Sequence, residues 1–172
     1  MKSTRRPISR QVTATQLIER HCADILSSPG MDVERRCIQH GTTSIFAHSW
    51  AVTIRAIEFA QDHQIPVNER SLVRGTLLHD YFLYDWHVPD PSHRLHGYRH
   101  PGFACKNAVR DFGISPLEQS MVRHHMWPLT PTPPTCREGW ILCLADKQVA
   151  TRETAAGFAR KLRLRQEDRA NA

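Results

Sequence analysis

The sequence predicts an all-α protein, a bundle of about six to eight helices. Three observations lead there. Apolar residues recur at three- and four-residue spacing in segment after segment. Helix start signals stand along the chain at Thr13 or Thr15, at Asn68, at Ser115-Pro116-Leu117-Glu118 and at Thr135-Cys136-Arg137-Glu138. No stretch alternates apolar and polar residues well enough to read as a strand.

Residues 1–12 contain Pro7 and no periodicity, and read as a disordered N-terminus. Thr13 or Thr15 caps a helix through Leu17, Ile18, Cys22, Ile25 and Leu26, which Pro29-Gly30 ends. A short turn or helix follows over 33–38. Gly41-Thr42-Thr43 opens a longer helix, with Phe46, Trp50, Ile54 and Ile57 at helical spacing and His48 in its first half. It ends by Pro66. Asn68 caps the next helix. There Leu72, Thr76, His79 and Leu83 form one stripe, and Val73, Leu77, Asp80 and Tyr84 the adjacent one. His79 and Asp80 are therefore read as lying on the buried side of an apolar helix.

Residues 85–98 have no clear period and carry Pro89, Pro91, Gly97 and three histidines, the pattern of a functional loop. A helix begins near Pro101 and stops at Gly113. The Ser115 box opens a helix that carries Met121, His124 and His125 and breaks at Pro128. Pro131, Pro133 and Pro134 stiffen the loop that follows. The Thr135 box opens a helix with Trp140, Ile141, Leu144 and Asp146, and residues 153–165 form a last amphipathic helix. One domain over 13–166 and a polar tail over 167–172 complete the reading.

A chain of 172 residues can bury a real core. Its 40% hydrophobic and 23% charged residues are ordinary for a soluble globular domain. The start Lys2-Ser3-Thr4-Arg5-Arg6 is polar, and no apolar run reaches the length of a membrane span. The cytoplasm is the expected location, and a membrane is not an expected partner. The five cysteines are scattered and form no CxxC, so reduced, mostly buried thiols are expected. The net charge of +6 owes much to Arg5, Arg6, Arg10, Arg160, Lys161, Arg163 and Arg165 near the ends. Basic ends attract nucleic acid, but a solvated face and frayed termini explain them better, and nucleic acid is the less favoured partner. The anomaly is eleven histidines, because histidine is the commonest side-chain ligand of transition metals.

The chemistry centres on His79-Asp80. A carboxylate buried without a partner is very costly, so Asp80 requires a cation or several donors. His48 lies upstream, and His100, the pair His124-His125 and Asp146 lie downstream on separate segments. Imidazole together with carboxylate suits iron, manganese, zinc or cobalt rather than calcium.

The order H…HD…H…H(H)…D resembles that of the HD-domain superfamily of metal-dependent phosphohydrolases, in particular its two-metal members, and the resemblance covers residues 39–150. The phrases Gln39-His40-Gly41, Leu95-His96-Gly97-Tyr98-Arg99-His100-Pro101 and His125-Met126-Trp127-Pro128 are similar to those of a small, stand-alone bacterial branch. The resemblance implies that His48, His79, Asp80 and Asp146 hold one divalent transition metal. Asp80 would bridge to a second, held by His100 and by His124 or His125, with the phrase after it favouring His125. It further implies a phosphohydrolase that activates a water with two metals against a phosphate ester, such as a nucleotide or a small phosphorylated metabolite. Asp80 and Lys147 would be catalytic. Arg94, His96, Arg99 and Lys147 would bind substrate, and Arg123 is a further cation near the ligands; the other reading of each cation is a surface charge. His40, His87 and His93 fall outside the pattern. Trp86 and Trp127 either wall the pocket or belong to the core.

One departure is informative. The cyclic-dinucleotide branch carries a glutamate one turn before the first histidine, where this chain has Ser44, and its GYP phrase is absent after His125. A third metal and a cyclic-di-GMP substrate are therefore not expected. Two other readings keep the same ligands. One is an HD-fold di-iron oxygenase. The other is a metal-bound nucleotide sensor without turnover, suggested by small size and basic charge.

Overall fold

Helix α4 (Glu69–Leu77) lies at the centre of a bundle of seven α-helices in the computed structural model, which describes residues 4–170. The Asn68 side chain starts it by accepting the Ser71 amide at 3.0 Å. Every residue from 71 to 82 is buried. A helix without a solvent face must pack on all sides, and α4 is surrounded by α1 (Ala14–Leu26), α3 (Ile45–Asp62), α6 (Pro116–His124) and α7 (Arg137–Ala170). Its buried cation, Arg74, is met by both oxygens of Asp24 at 2.7 and 2.9 Å. Helix α2 (Pro29–Arg36) packs on α3, and α5 (His96–Phe112) on α6. The fold is all-α, as the periodicity predicts, with one two-stranded ribbon among the described residues.

Several caps stand where the sequence places them. Thr13 and Gln16 exchange hydrogen bonds at the start of α1, and Ser115 and Glu118 do so at the start of α6. Gly113 closes α5 in the left-handed conformation at φ 55°, with its amide on the Val109 carbonyl at 3.0 Å.

Other expectations need correction. Pro29 does not merely end α1; it is the first residue of α2, behind the Ser28 cap. Gly41 turns the ribbon formed by β1 (Ile38–His40) and β2 (Thr43–Ser44), so Thr43 is in a strand and Ser44 caps α3 by accepting the Ala47 amide at 3.1 Å. Helix α4 stops at Leu77, so His79 and Asp80 lie in the turn after it rather than on it. Helix α5 starts at His96, five residues before Pro101, and tolerates that proline in its interior. It thereby places His96 and His100 on one helix face. At α7, Cys136 Sγ accepts the Gly139 amide at 3.3 Å, while Thr135 pairs with Ser120 and Glu138 turns to Arg5 and the Asn68 amide. The two helices expected after Thr135 are one helix of 34 residues. No proline interrupts it, and its Gly139 and Gly157 do not break it.

The N-terminal segment is part of the fold from residue 4 onward. Ile8 is buried, Arg6 pairs with Val67 through two backbone hydrogen bonds of 3.0 and 3.1 Å, and Gln61 Nε2 donates to the Ser9 and Val12 carbonyls. A buried anchor of this kind leaves no periodic signal in so short a stretch. Residues 1–3 and 171–172 lie outside the described residues; the expected polar tail is helical up to residue 170. The five cysteines are unpaired. Among the described residues no helix is long and apolar enough to cross a membrane.

Candidate metal centre

Five elements deliver side chains to one point beneath the surface. His48 comes from the first turn of α3, His79 and Asp80 from the turn after α4, and His100 from the second turn of α5. His125 comes from the residue that closes α6, and Asp146 from the third turn of α7. All six are buried, and Asp80 is only 2% exposed. Asp80 Oδ1 lies 3.2 Å from His100 Nε2 and 3.6 Å from His125 Nε2. Its Oδ2 lies 3.5 Å from His79 Nε2 and 3.9 Å from His48 Nε2. Asp146 Oδ1 faces His48 Nε2 at 3.2 Å and His79 Nε2 at 3.8 Å. Asp80 is thus common to two ligand groups, one with His48 and His79, the other with His100 and His125.

The far sides of these rings are committed. Nδ1 of His79 donates to the Thr76 carbonyl at 2.8 Å, that of His100 to the His96 carbonyl at 3.0 Å, and that of His125 to the Val122 carbonyl at 2.8 Å. A carbonyl only accepts, so each Nδ1 carries a proton, and each ring, when neutral, turns an Nε2 lone pair inward. His48 Nδ1 faces the Glu153 carboxylate at 2.9 Å. This is the arrangement that orients histidines toward a metal and strengthens them as ligands.

Part of the inner side is unsatisfied without a cation, although His48 Nε2 and Asp146 Oδ1 meet each other. Neither His79 Nε2 nor Asp80 Oδ1 has a well-directed hydrogen bond among the described residues. His100 Nε2 and His125 Nε2 stand 3.1 Å apart, so they either share a proton or, with both rings neutral, set two lone pairs face to face. Adjacent ligands bound at about 2.0–2.1 Å from one ion lie about 3.0–3.4 Å apart, so the spacing fits a shared metal. The residues present therefore fit the group that the sequence implies.

Protons take up this charge in the metal-free cluster. Burial would lower His48, but the Asp146 and Glu153 carboxylates overcome it and push the ring up to about 10. Burial, followed by the charges of His79 and His100, pushes His125 down to about 3. Burial opposes ionisation of Asp80, yet His79, His100 and His125 hold it well below the usual carboxylate range. Asp146 is lowered in the same way, chiefly by His48 and His79 against burial. The cluster is built to hold two carboxylates against positive charge.

A chamber of about 860 Å³ opens over Asp80, His100 and Asp146. Gln39, on β1, reaches across it and donates to Asp80 Oδ2 at 2.6 Å. Lys147 lines the chamber, and its ammonium is steadied by the His125 carbonyl at 3.1 Å and by the Cys143 carbonyl and sulfur. His96 lines it too, in contact with the Tyr84 hydroxyl at 2.9 Å. Among the described residues lining it there is no serine, threonine or cysteine.

His48, His79, Asp80, His100, His125 and Asp146 are therefore brought together, and His96 and Lys147 stand over them. His124 is not in the cluster; it ends α6 half-buried, with Nδ1 3.4 Å from Ser120 Oγ. Neighbouring residues at a helix end diverge, and only His125 turns inward. Arg94 lines a separate depression with Val88 and Pro91. Arg99 is exposed with its guanidinium 5.3 Å over the Phe103 ring, and Arg123 is exposed with its Nε on Cys105 Sγ. Trp86 walls the chamber, whereas Trp127 packs edge-on to Trp140.

Two contributors escape the sequence reading. Glu153 is seven residues after Asp146, two turns on along the same helix face, but a helix break assumed near 153 hides the relation. Gln39 sits in a three-residue strand too short to signal itself. Comparison with protein-family models, with curated proteins and with solved structures returned no match for this chain.

Proposed function

We propose that this chain is a phosphohydrolase of the HD-domain type that binds two divalent transition-metal ions, iron, manganese, zinc or cobalt. Its substrate would be a phosphate ester, a nucleotide or a small phosphorylated metabolite. One observation carries the reading: four histidine Nε2 atoms converge on Asp80 and Asp146 while their Nδ1 atoms are tied to carbonyls and to Glu153. A structural cluster would satisfy both ring nitrogens, whereas a metal centre leaves the inner ones for the ions.

His48, His79, Asp80 and Asp146 would hold one ion, and Asp80, His100 and His125 the other. Two such ions, when bound, supply Lewis acidity toward a phosphoryl group and an activated water. The chain's own residues do the rest. Gln39 holds Asp80 Oδ2 and so fixes the carboxylate plane between the two groups. Glu153 holds His48 in one orientation. Lys147 places an ammonium at the chamber wall, where it offsets the charge of a bound phosphoryl group. With two ions to activate a water, transfer would go directly to water, without a covalent phosphoenzyme.

The test is elemental analysis of anaerobically purified protein, then single-turnover hydrolysis of a phosphate ester in oxygen-18 water. The label should enter phosphate in the first turnover. Product without label, or turnover only when oxygen is admitted, overturns the hydrolase reading, and the second outcome puts the di-iron oxygenase in its place.

A further inference from the structure

The chamber over the carboxylates is far larger than a phosphoryl group, so most of it is shaped for the rest of the substrate. One wall is a stack of flat rings. Trp86 lies on His96 at 5.1 Å between centroids and 8° between planes, and His96 lies on His100 at 4.7 Å and 23°. Apolar groups on the rest of the lining are Met126, Pro128, Leu129 and Ala150. Leu129 closes against α5 because Gly97 has no side chain; a Cβ there would stand 3.3 Å from Leu129 Cδ2.

Cations in the chamber are scarce. Lys147 is the lysine or arginine among its described lining residues. Arg94 lies in the depression beyond Trp86, and Lys161 lines another with Phe158 and Glu153. The two proposed ions would take one phosphoryl group, the further phosphates of a polyphosphate need charge-assisted donors of their own, and one ammonium does not provide them. Hydroxyls of a polyol body that lay against Met126, Pro128 and Leu129 would lose water without a partner there, the polar groups Gln39, His40 and His96 standing elsewhere on the lining.

We infer that this site takes a single phosphoryl group carried on a largely apolar body, which lies against Trp86, Met126, Pro128 and Leu129. The inference rests on the phosphohydrolase reading for the nature of the head group, and on the chamber walls for the body.

The experiment uses the metal-loaded full chain and three non-hydrolysable probes: methylphosphonate, naphthylmethylphosphonate and a methylene-bridged nucleoside triphosphate analogue. Calorimetry should show the naphthyl probe binding at least tenfold tighter than methylphosphonate, and the triphosphate analogue gaining nothing over methylphosphonate. Leu129→Ser, at an exposed position that leaves the fold intact, should cut the naphthyl preference severalfold without changing methylphosphonate binding, and Trp86→Ala should do the same. Equal affinity for the naphthyl and methyl probes, tightest binding of the triphosphate analogue, or a naphthyl preference that survives both substitutions overturns the inference. Phosphate release from naphthyl phosphate and from glycerol phosphate is measured separately. Release from both at equal efficiency counts against the chamber inference and leaves the hydrolase standing. A naphthyl preference lost in both variants, without release from any ester, supports the chamber and counts against the hydrolase.

Discussion

Removing Glu153 should weaken one metal site and spare the other. Its carboxylate accepts from His48 Nδ1 at 2.9 Å and is 14% exposed, while the helix around it from residue 151 onward is largely solvated. Truncation to alanine therefore opens no core cavity, and alanine suits the helix. What is lost is the orientation and basicity of His48. Loss of such an outer partner typically costs about 10–100-fold in metal affinity, or about 1.4–2.7 kcal/mol. His100 and His125 are held by carbonyls of their own, so their site should keep its affinity. Glu153→Gln, which retains an acceptor oxygen, should recover most of the loss.

The assay is a competitive metal titration that resolves two sites, run beside thermal melts of the metal-free protein across pH. His48 is raised from 6.5 to about 10 in the fold, so protonation favours the folded state. That stabilisation is complete below 6.5 and is lost as pH rises through about 10. In metal-free Glu153→Ala, where one of the two carboxylates is gone, the loss over this window should be shallower. Wild-type affinity at both sites, or equal weakening of both, would refute a role through His48.

The other predictions can be stated together. Asp80→Ala should lose both metals, because Asp80 is common to the two ligand groups, and elemental analysis showing one ion retained would exclude the bridge. His125→Ala should lose one metal while His124→Ala keeps the full complement, as the burial of the first and the Ser120 contact of the second require. At a hundredfold excess over Kd each site contributes about 2.7 kcal/mol, and a chain of this size shifts by about 2–4 °C per kcal/mol. Chelation should therefore lower Tm by about 10–20 °C with the far-ultraviolet helix signal unchanged at room temperature; no shift after verified removal contradicts it. Glu34 is fully buried with both oxygens unpartnered, and burial, then Asp80, push its carboxyl well above the usual range. An acid raised in the fold loses stability as pH climbs above its unfolded value. Glu34→Met should therefore raise Tm more at pH 8 than at pH 5, and a lower Tm at pH 8 would contradict it.

What is legible in the sequence follows local physics. Asn68, Thr13 and Ser115 cap the helices they precede because a cap needs only its own side chain and an amide two or three residues on. His79 and Asp80 are visible as residue types that an apolar run does not hold without a partner, whereas His48, His100, His125 and Asp146 are read through the resemblance to a known ligand order. Tertiary choices are not legible in the same way. Thr135 and Glu138 make a good capping box on paper, yet Glu138 is drawn to Arg5 and the Asn68 amide, both distant in the chain. Pro101 looks like a helix start because position alone does not reveal that His96 already lies on the helix. The N-terminal segment is held by Ile8 and the Val67 bridge, contacts that no window of residues 1–12 contains.

The most consequential difference, the end of α4 before His79, also explains how the centre is made. A helix leaves its last carbonyls without an amide of its own to accept. Thr76 and Val122 lie in the last turns of α4 and α6, and their carbonyls accept from His79 Nδ1 and His125 Nδ1. A histidine placed three residues beyond such a carbonyl is oriented by the backbone itself, with its tautomer set and its Nε2 aimed away from the helix. Were α4 to continue through Asp80, His79 and Asp80 would be held at helical directions about 100° apart, and the Asp80 amide would compete for the Thr76 carbonyl. The early stop is therefore part of the site. The same helix end that exposes a carbonyl to His79 releases the next residue, Asp80, into the space between the two pairs of imidazoles.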